Sequence, residues 1–118
     1  MNLTPIEINL INTEKLTEQV TWNSHKENQR QGADIATLYV DGDKSIALVR
    51  FHPGASAKPH LHNGFETIYV ISGAYTDNSG THIEGDLVIY PDQSIHSWKS
   101  ETGALLYVVW GGSTLLVN

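Results

Sequence analysis

Turn-forming residues divide the chain into short segments, and this division limits the folds available to it. Beyond Gly32 the turns lie about ten residues apart. They include Asp41-Gly42, Pro53-Gly54 and the stretch from Asp77 to Gly80. The segments between them read as short strands, and almost no room is left for helix. This spacing favours an all-β sandwich or barrel over an α/β fold.

The clearest local signal is a hairpin in the first half of the chain. Asp41-Gly42 tolerates positive φ and predicts a two-residue turn between strands at residues 33–40 and 44–52. We expect Pro53-Gly54 to end the second of these strands, because proline and glycine interrupt regular strands.

Two further strands and the domain limits follow from the same pattern. Residues 66–72 form a strand that ends before Gly73, and residues 105–110 are an unbroken apolar run, typical of a strand buried on both faces. With 118 residues the chain is expected to be a single domain. We divide it into an irregular N-terminal arm, residues 1–31, and a barrel, residues 32–118.

Three histidines and one glutamate have the spacing of a metal site. His60 and His62 alternate along a predicted strand, so both project to the same face. Glu66 follows after an Asn-Gly bend, and His96 lies on a later strand that could complete the set. Four such polar groups converging in a barrel would be costly without an ion, whereas the alternative is that they point at water. Imidazole and carboxylate ligands suit Fe(II), Mn(II), Ni(II), Co(II) or Zn(II), and their spacing does not choose among these metals.

Aromatic residues near this set are candidate pocket walls. Trp98 lies two residues beyond His96 and should share its face, as a pocket wall or as an ordinary core tryptophan. Tyr69 and Tyr75 could line the mouth of the pocket, or each could be a strand aromatic at an interface or in the second sheet.

Other polar residues have simpler explanations. Arg50 and His52 share a strand face, which we expect to be solvated although either could support the site. No role is assigned to His25 and His82. Three aspartates lie at turns, where carboxylates commonly cap backbone amides, and these are Asp77, Asp86 and Asp92.

Charge and composition exclude several classes of function. The formal net charge is −6, and the seven Lys and Arg residues are scattered singly, so nucleic acid is not an expected partner. The chain begins without a leader pattern and has no apolar segment long enough to cross a bilayer, so we expect a cytoplasmic protein with no membrane partner. The absence of cysteine excludes disulfides and thiolate chemistry.

The sequence resembles the cupin superfamily, whose members are small jelly-roll barrels. The first cupin motif is matched at every position, by Gly54, His60, His62, Glu66 and Gly73. The second motif is matched by Gly85, Pro91 and His96. The chain departs from it with Gln93 in place of glycine and Ser100 in place of asparagine, which puts the local turn in doubt more than the metal. The resemblance implies a double-stranded β-helix, the jelly-roll cupin barrel.

The stretch from His60 to Asp77 is similar in particular to the cupin domain of ChrR-type anti-sigma factors and to small dioxygenases of diketones or hydroxyacetophenones. This resemblance implies a mononuclear non-haem Fe(II) dioxygenase of a small carbonyl compound, with Glu66 as the candidate catalytic residue as well as a ligand. The anti-sigma role is not carried over, because it depends on a separate helical domain with a cysteine-containing zinc site.

Two other functions remain open at this point. The chain could be a non-enzymatic, metal-containing sensing or binding module. It could also be a metal-dependent isomerase of a sugar or a small polar acid, for which Arg50 and Lys58 are the nearby basic residues. Metal-free acid-base catalysis would need a second carboxylate near Glu66, and no pattern supplies one.

The apolar runs predict a homodimer. Residues 46–49, 105–110 and 115–117 carry more apolar side chains than one barrel interior can use, so part of this surface should be covered by a second copy. Sedimentation velocity at tens of micromolar protein should therefore show a dimer. A well-folded monomer at that concentration would contradict the prediction.

Overall fold

The computed structural model describes residues 15–117 and is almost entirely β-structure. Residues 1–14 of the predicted arm lie outside the described range. The helical elements within residues 15–117 are one short α-helix, α1, at Leu16–Gln19, and a 3-10 turn at Glu27–Gln29. Between residues 15 and 117, no helix has the length and hydropathy needed to cross a membrane.

Nine strands follow the helix in the sequence. They are β1 Asn23–Ser24, β2 Gln31–Asp41, β3 Lys44–Asn63, β4 Glu66–Asp77, β5 Gly80–Ile83, β6 Leu87–Tyr90, β7 Ile95–Ser100, β8 Ala104–Trp110 and β9 Ser113–Leu116. All of their pairings are antiparallel.

Strands β3 and β4 join the two faces of the barrel. The first half of β3 pairs with β2 and β8, and its second half pairs with β7 and β9. The first part of β4 pairs with β6 and β8, and its last part pairs with β5 and β7. Because both strands pass from one face to the other, the sheet closes on itself. The predicted all-β fold, a double-stranded β-helix or jelly-roll cupin barrel, is confirmed.

The predicted strand ends at Pro53-Gly54 and Gly73 are wrong. β3 continues through Pro53-Gly54 for 20 residues, and β4 continues through Gly73 to Asp77. At both positions the strand changes partners instead of ending, since β3 leaves β8 after Phe51 and joins β7 at Ala55. A turn signal inside a barrel strand therefore marks a corner.

Two smaller predictions also need correction. The hairpin between β2 and β3 turns at Gly42-Asp43, one residue later than predicted, with Asp41 paired to Lys44. Strand β8 is not buried on both faces, because Tyr107 points outward and is 37% exposed.

The barrel interior and one outer surface carry separate apolar clusters. The interior cluster is built around Phe51, Val70, Trp98, Leu106 and Val108. On the outer side a smaller cluster packs Val20 and Trp22 of the segment after α1 against Ala36 and Leu48.

A second outer patch is left uncovered within the described chain. Tyr69 pairs with Leu87 on one side and with Tyr107 on the other, and these residues and Ile89 are all exposed on neighbouring strands. This patch is where the predicted homodimer would gain most from a second copy, and the dimer itself stays a prediction.

Gly73 provides a test of the corner in β4. Its φ is +78°, and a Cβ there would lie 2.2 Å from the Gly103 carbonyl oxygen and 2.7 Å from the Ala104 Cα. Gly42 also has a positive φ, +64°, but no atom lies within 4 Å of the position that a Cβ would take. Gly42→Ala therefore measures only the cost of placing a non-glycine residue in the left-handed conformation, about 1–2 kcal/mol. We expect Gly73→Ala to lower the free energy of unfolding by at least about 2 kcal/mol more than Gly42→Ala. Urea denaturation measures both, and equal losses would contradict the close approach of β4 to β8.

Candidate metal centre

Three neighbouring strands bring the predicted ligands together. His60 and His62 lie two residues apart on β3 and both are buried in the barrel. His60 pairs directly across the strands with His96 of β7. Glu66 is the first residue of β4 and follows β3 after a bend at residues 64–65, so its carboxylate returns to the same place.

The three histidine side chains face one point, and Glu66 lies beside two of them. One ring nitrogen from each of the three histidines lies within 4.8 Å of the other two. The Oε1 atom of Glu66 is 3.5 Å from His62 Nε2 and 3.6 Å from His96 Nε2. All four residues are almost fully buried, and Glu66 is 3% exposed.

Four buried atoms of this cluster have no hydrogen-bond partner among residues 15–117. These atoms are His60 Nε2, His62 Nε2, His96 Nε2 and Glu66 Oε1. An unpartnered buried polar atom is costly, and four together are rare unless a ligand satisfies them. Neutral imidazole nitrogens and a carboxylate oxygen are the donors that divalent transition metals accept, so the residues present fit a metal ion.

Two of the histidines are held in the tautomer that such a role requires. His60 donates from Nδ1 to the Lys58 carbonyl oxygen at 2.9 Å, and His96 donates from Nδ1 to Asp77 Oδ2 at 3.3 Å. With the proton on Nδ1, the lone pair of Nε2 is directed into the site. His62 has no such partner on Nδ1.

Asp77 is the centre of the supporting network. Besides His96 it accepts hydrogen bonds from the Tyr90 hydroxyl, from His82 and from the Ser79 backbone and side chain. Burial alone would raise the pKa of Asp77, but these donors outweigh burial and hold the pKa well below its usual range. The sequence predicted only the capping of a turn amide, which Asp77 does provide at Ser79. It missed the contacts of Asp77 with His96 and Tyr90, because they depend on long-range pairing.

Burial sets the charge of the site. It lowers the pKa of His60 to about 4 and that of His62 to about 3, with smaller contributions from neighbouring charged groups. The pKa of His96 is also lowered by burial, although Asp77 opposes the shift. All three imidazoles are therefore neutral at pH 7. Burial raises the pKa of Glu66 to about 7, and the nearby Arg30 guanidinium opposes that rise.

Two buried residues of the N-terminal segment complete the surroundings, and sequence reasoning missed both. Arg30 donates to His25 Nε2 at 2.5 Å, and both side chains are buried. They line a small interior cavity that also includes Glu66 and Trp110. No role was assigned to His25, and Arg30 was not singled out. Neither lies in a periodic pattern, so only the fold reveals their position.

The predicted pocket residues have different positions. Trp98 is buried, stacks on Phe51 with ring centroids 3.9 Å apart and lines the interior cavity. Tyr69 is 42% exposed on the outer face and does not reach the site. Tyr75 is buried, and its hydroxyl donates to that of Tyr90 at 2.7 Å, which places it behind Asp77.

The remaining polar candidates lie on the outside of the barrel. Arg50 and His52 both contact Asp34, at 2.9 and 2.6 Å, on the outward face of β3, so neither supports the site. Asp86 and Asp92 accept hydrogen bonds from backbone amides, as their turn positions predicted.

The two departures from the second cupin motif are accommodated locally. Gln93 adopts a φ of +70°, so it keeps the left-handed backbone that glycine would supply. Ser100 is buried, donates to the Ala74 carbonyl oxygen at 2.6 Å and accepts from the Gly103 amide at 3.0 Å. The turn before His96 and the end of β7 are therefore both intact.

The raised pKa of Glu66 generates a prediction for metal-free protein. Because its pKa rises from 4.5 to about 7, Glu66 contributes stability that is full below pH 4.5 and is lost as the pH rises through 7. Glu66→Gln keeps the shape and cannot ionise. In chelator, the free energy of unfolding of the variant minus that of wild type should rise between about pH 5 and pH 8, by on the order of 3 kcal/mol.

Chemical denaturation at several pH values measures this difference. The control is Glu84→Gln, the same change at an exposed turn. A flat difference for Glu66→Gln would show that the carboxyl group is not desolvated as the structure places it.

Comparisons with known proteins agree with this fold and identify a family for the chain. The sequence matches the family described as the ChrR cupin-like domain over residues 14–114. No curated protein is significantly similar in sequence.

Solved structures share the architecture at low identity. A putative acetylacetone dioxygenase from Methylibium petroleiphilum superposes with a TM-score of 0.83 at 17% identity, covering 100% of this chain and 86% of that chain. An acetylacetone dioxygenase from Acinetobacter johnsonii gives 0.79 at 14%, covering 100% and 82%. The anti-sigma factor ChrR of Rhodobacter sphaeroides, solved in complex with SigE, gives 0.68 at 23%, covering 79% of this chain and 50% of that one. At these identities the structures show a shared fold, and the family match over most of the chain shows that it belongs to the ChrR cupin-like domain family.

Proposed function

We propose that this protein is a metal-dependent cupin in which His60, His62, His96 and Glu66 hold one divalent transition metal. The observation that carries the proposal is the cluster of three buried histidine nitrogens with the Glu66 oxygen beside two of them, all without a hydrogen-bond partner among residues 15–117. Binding a metal would satisfy all four at once. The cost of leaving them unpartnered is what makes a metal-free resting state unfavourable.

A divalent ion held there would supply a Lewis acid for the oxygens of a small carbonyl compound, and iron would add a redox-active centre. The chain itself has three tasks. Lys58 and Asp77 keep His60 and His96 in the required tautomer. Phe51, Trp98 and their apolar neighbours give the cavity beside Glu66 mostly apolar walls. Glu66 supplies the one carboxylate oxygen of the ligand set, Oε1, and carries the negative charge of the site.

We further propose that the natural metal is Fe(II) and that the reaction is oxygenation of a small carbonyl compound. Two structures that superpose on the whole chain are described as acetylacetone dioxygenases, one of them putatively, which supports this choice. The small, aromatic-lined cavity supports it as well, because oxygen chemistry needs protection from bulk water.

A second candidate is a metal-containing sensing module. The family match to the ChrR cupin-like domain favours it, and the ChrR structure in that comparison holds a protein partner. The two candidates differ in the natural metal, because zinc cannot change redox state and so cannot activate oxygen.

The metal proposal predicts the behaviour of three histidine variants. His62→Ala and His96→Ala each remove one of the four donors, so metal analysis of untagged protein should fall from one ion per chain to nearly none. His52→Ala is the matched control, because His52 is exposed and contacts Asp34 on the outer face. It should keep the full metal content. A His62→Ala protein that retained its metal would contradict the assigned ligand set.

The same variants test the reaction. Protein loaded with Fe(II) without air should consume oxygen in the presence of one member of a panel containing a β-diketone, a hydroxyacetophenone and a thiol acid. Uptake should depend on substrate and disappear in the His62→Ala and His96→Ala variants. Failure of every substrate, with zinc as the natural metal, would instead favour the sensing module.

A further inference from the structure

The interior of the barrel holds a positively charged group that the metal centre does not use. Arg30 lies at the end of the 3-10 turn, immediately before β2, and its side chain is only 7% exposed. Its side chain contacts His25, with Arg30 Nη1 2.5 Å from His25 Nε2 and 3.4 Å from His25 Nδ1. Its Nε atom is buried with no hydrogen-bond partner. A guanidinium keeps its charge even when buried, so this N–H needs an acceptor.

Glu66 does not supply that acceptor. The two side chains interact electrostatically and line the same cavity. Between residues 15 and 117, however, no ion pair or hydrogen bond joins Arg30 to Glu66. Arg30 therefore interacts electrostatically with the carboxylate of the proposed metal centre but forms no ion pair with it. A small ligand could lie between the two side chains.

The cavity that contains both residues lies next to a larger surface groove, and the two spaces share lining residues. The cavity volume is about 20 Å³, enough for about one water molecule. The groove has a volume of about 570 Å³ and lies between residues 24–28, the β2–β3 turn and the start of β9. His25 and Trp110 line both spaces, with ring centroids 5.9 Å apart. They form the partition between solvent and the interior.

We propose that Arg30 is a substrate-recognition residue that binds the negatively charged oxygen of a small organic anion entering from this groove. The proposal rests on the proposed metal-dependent function and narrows its substrate class to carboxylates and enolates. In the bound state, the anionic oxygen accepts a hydrogen bond from Arg30 Nε–H. The rest of the ligand then extends towards Glu66 and the three histidines. The cavity as it stands holds about one water molecule, so His25 and Trp110 must move apart to admit the anion. The core residues Val49, Phe51 and Trp98 form the other walls, so only a small anion fits.

The neighbouring His25 makes this role possible. Burial lowers the pKa of His25 to about 3, and the charge of the adjacent Arg30 adds to this shift. The His25 ring is therefore neutral, and its Nε2 accepts a hydrogen bond from Arg30 Nη1. His25 therefore orients the guanidinium without cancelling its charge. An acidic residue at this position would have paired with Arg30 and left nothing for a ligand.

The experiment is a titration followed by tryptophan fluorescence, because Trp98 and Trp110 line the cavity. Full-length protein treated with chelator, and checked by far-ultraviolet circular dichroism to be folded, is titrated with sodium acetate, with acetamide as the neutral probe of the same size and with sodium chloride as the ionic-strength control. Using metal-free protein prevents acetate from binding a metal instead. We expect a saturable response to acetate and none to acetamide. Arg30→Gln should weaken acetate binding roughly tenfold or more, since it removes a charge-assisted hydrogen bond.

Two further variants sharpen the result. Arg30→Lys keeps the charge and should retain part of the affinity. Arg50→Gln removes an outward-facing arginine that contacts Asp34, and it should bind acetate like wild type. If Arg30→Gln does not fold, the preference of wild type for acetate over acetamide and the result for Arg30→Lys decide the question. A non-saturable acetate response, equal responses to acetate and acetamide, or unchanged affinity in Arg30→Gln would overturn the proposal.

Metal analysis of the same preparations separates this proposal from the proposed function. Acetate binding that depends on Arg30 in a protein that never holds metal would support the anion site and reject the metal centre. Metal bound at one ion per chain, together with acetate binding that is indifferent to Arg30, would support the centre and overturn the anion site.

Discussion

The structure depends on how four polar atoms are accommodated inside an apolar barrel. The three imidazole nitrogens face one another within a closed sheet, and the Glu66 oxygen lies beside two of them. None of the four atoms has a hydrogen-bond partner in the described part of the chain. Desolvating such groups is unfavourable, and the depressed pKa values of His60 and His62 and the raised pKa of Glu66 have the same origin. A bound cation would reverse this penalty. On our account the ion is therefore part of the folded state as well as of the chemistry.

The path of two strands explains why these atoms meet. β3 is long enough to serve both faces of the barrel, so His60 and His62 lie on the part that pairs with β7, opposite His96. β4 starts at Glu66, next to Tyr90 and Trp110 on its neighbouring strands, and ends at Asp77, which returns to His96. The same strand thus supplies both a proposed ligand and the residue that orients another ligand. Any shift of β4 against β8 would disturb both ends of this arrangement.

Much of the site was predictable because it depends on local spacing. The alternation of His60 and His62 and the short bend before Glu66 are properties of one segment, and they require only that the segment be a strand. The strand ends were predicted less well, since Pro53-Gly54 and Gly73 mark corners and a local pattern cannot distinguish a corner from an end. Arg30, His25 and the contacts of Asp77 with His96 and Tyr90 were not predictable, because they arise from packing between distant parts of the chain. Tyr69 was placed near the pocket as one of two possibilities, and its outward position follows from the register of β4 against β6 and β8.

The central claim is that one metal ion lies among His60, His62, His96 and Glu66. The most direct measurement is crystallography of untagged protein, with anomalous difference maps recorded on both sides of the absorption edge of the metal that co-purifies. The account predicts one peak per chain, about 2.0–2.2 Å from the three Nε2 atoms and from Glu66 Oε1. A map with no peak among these residues, or with the metal at another position, would contradict it.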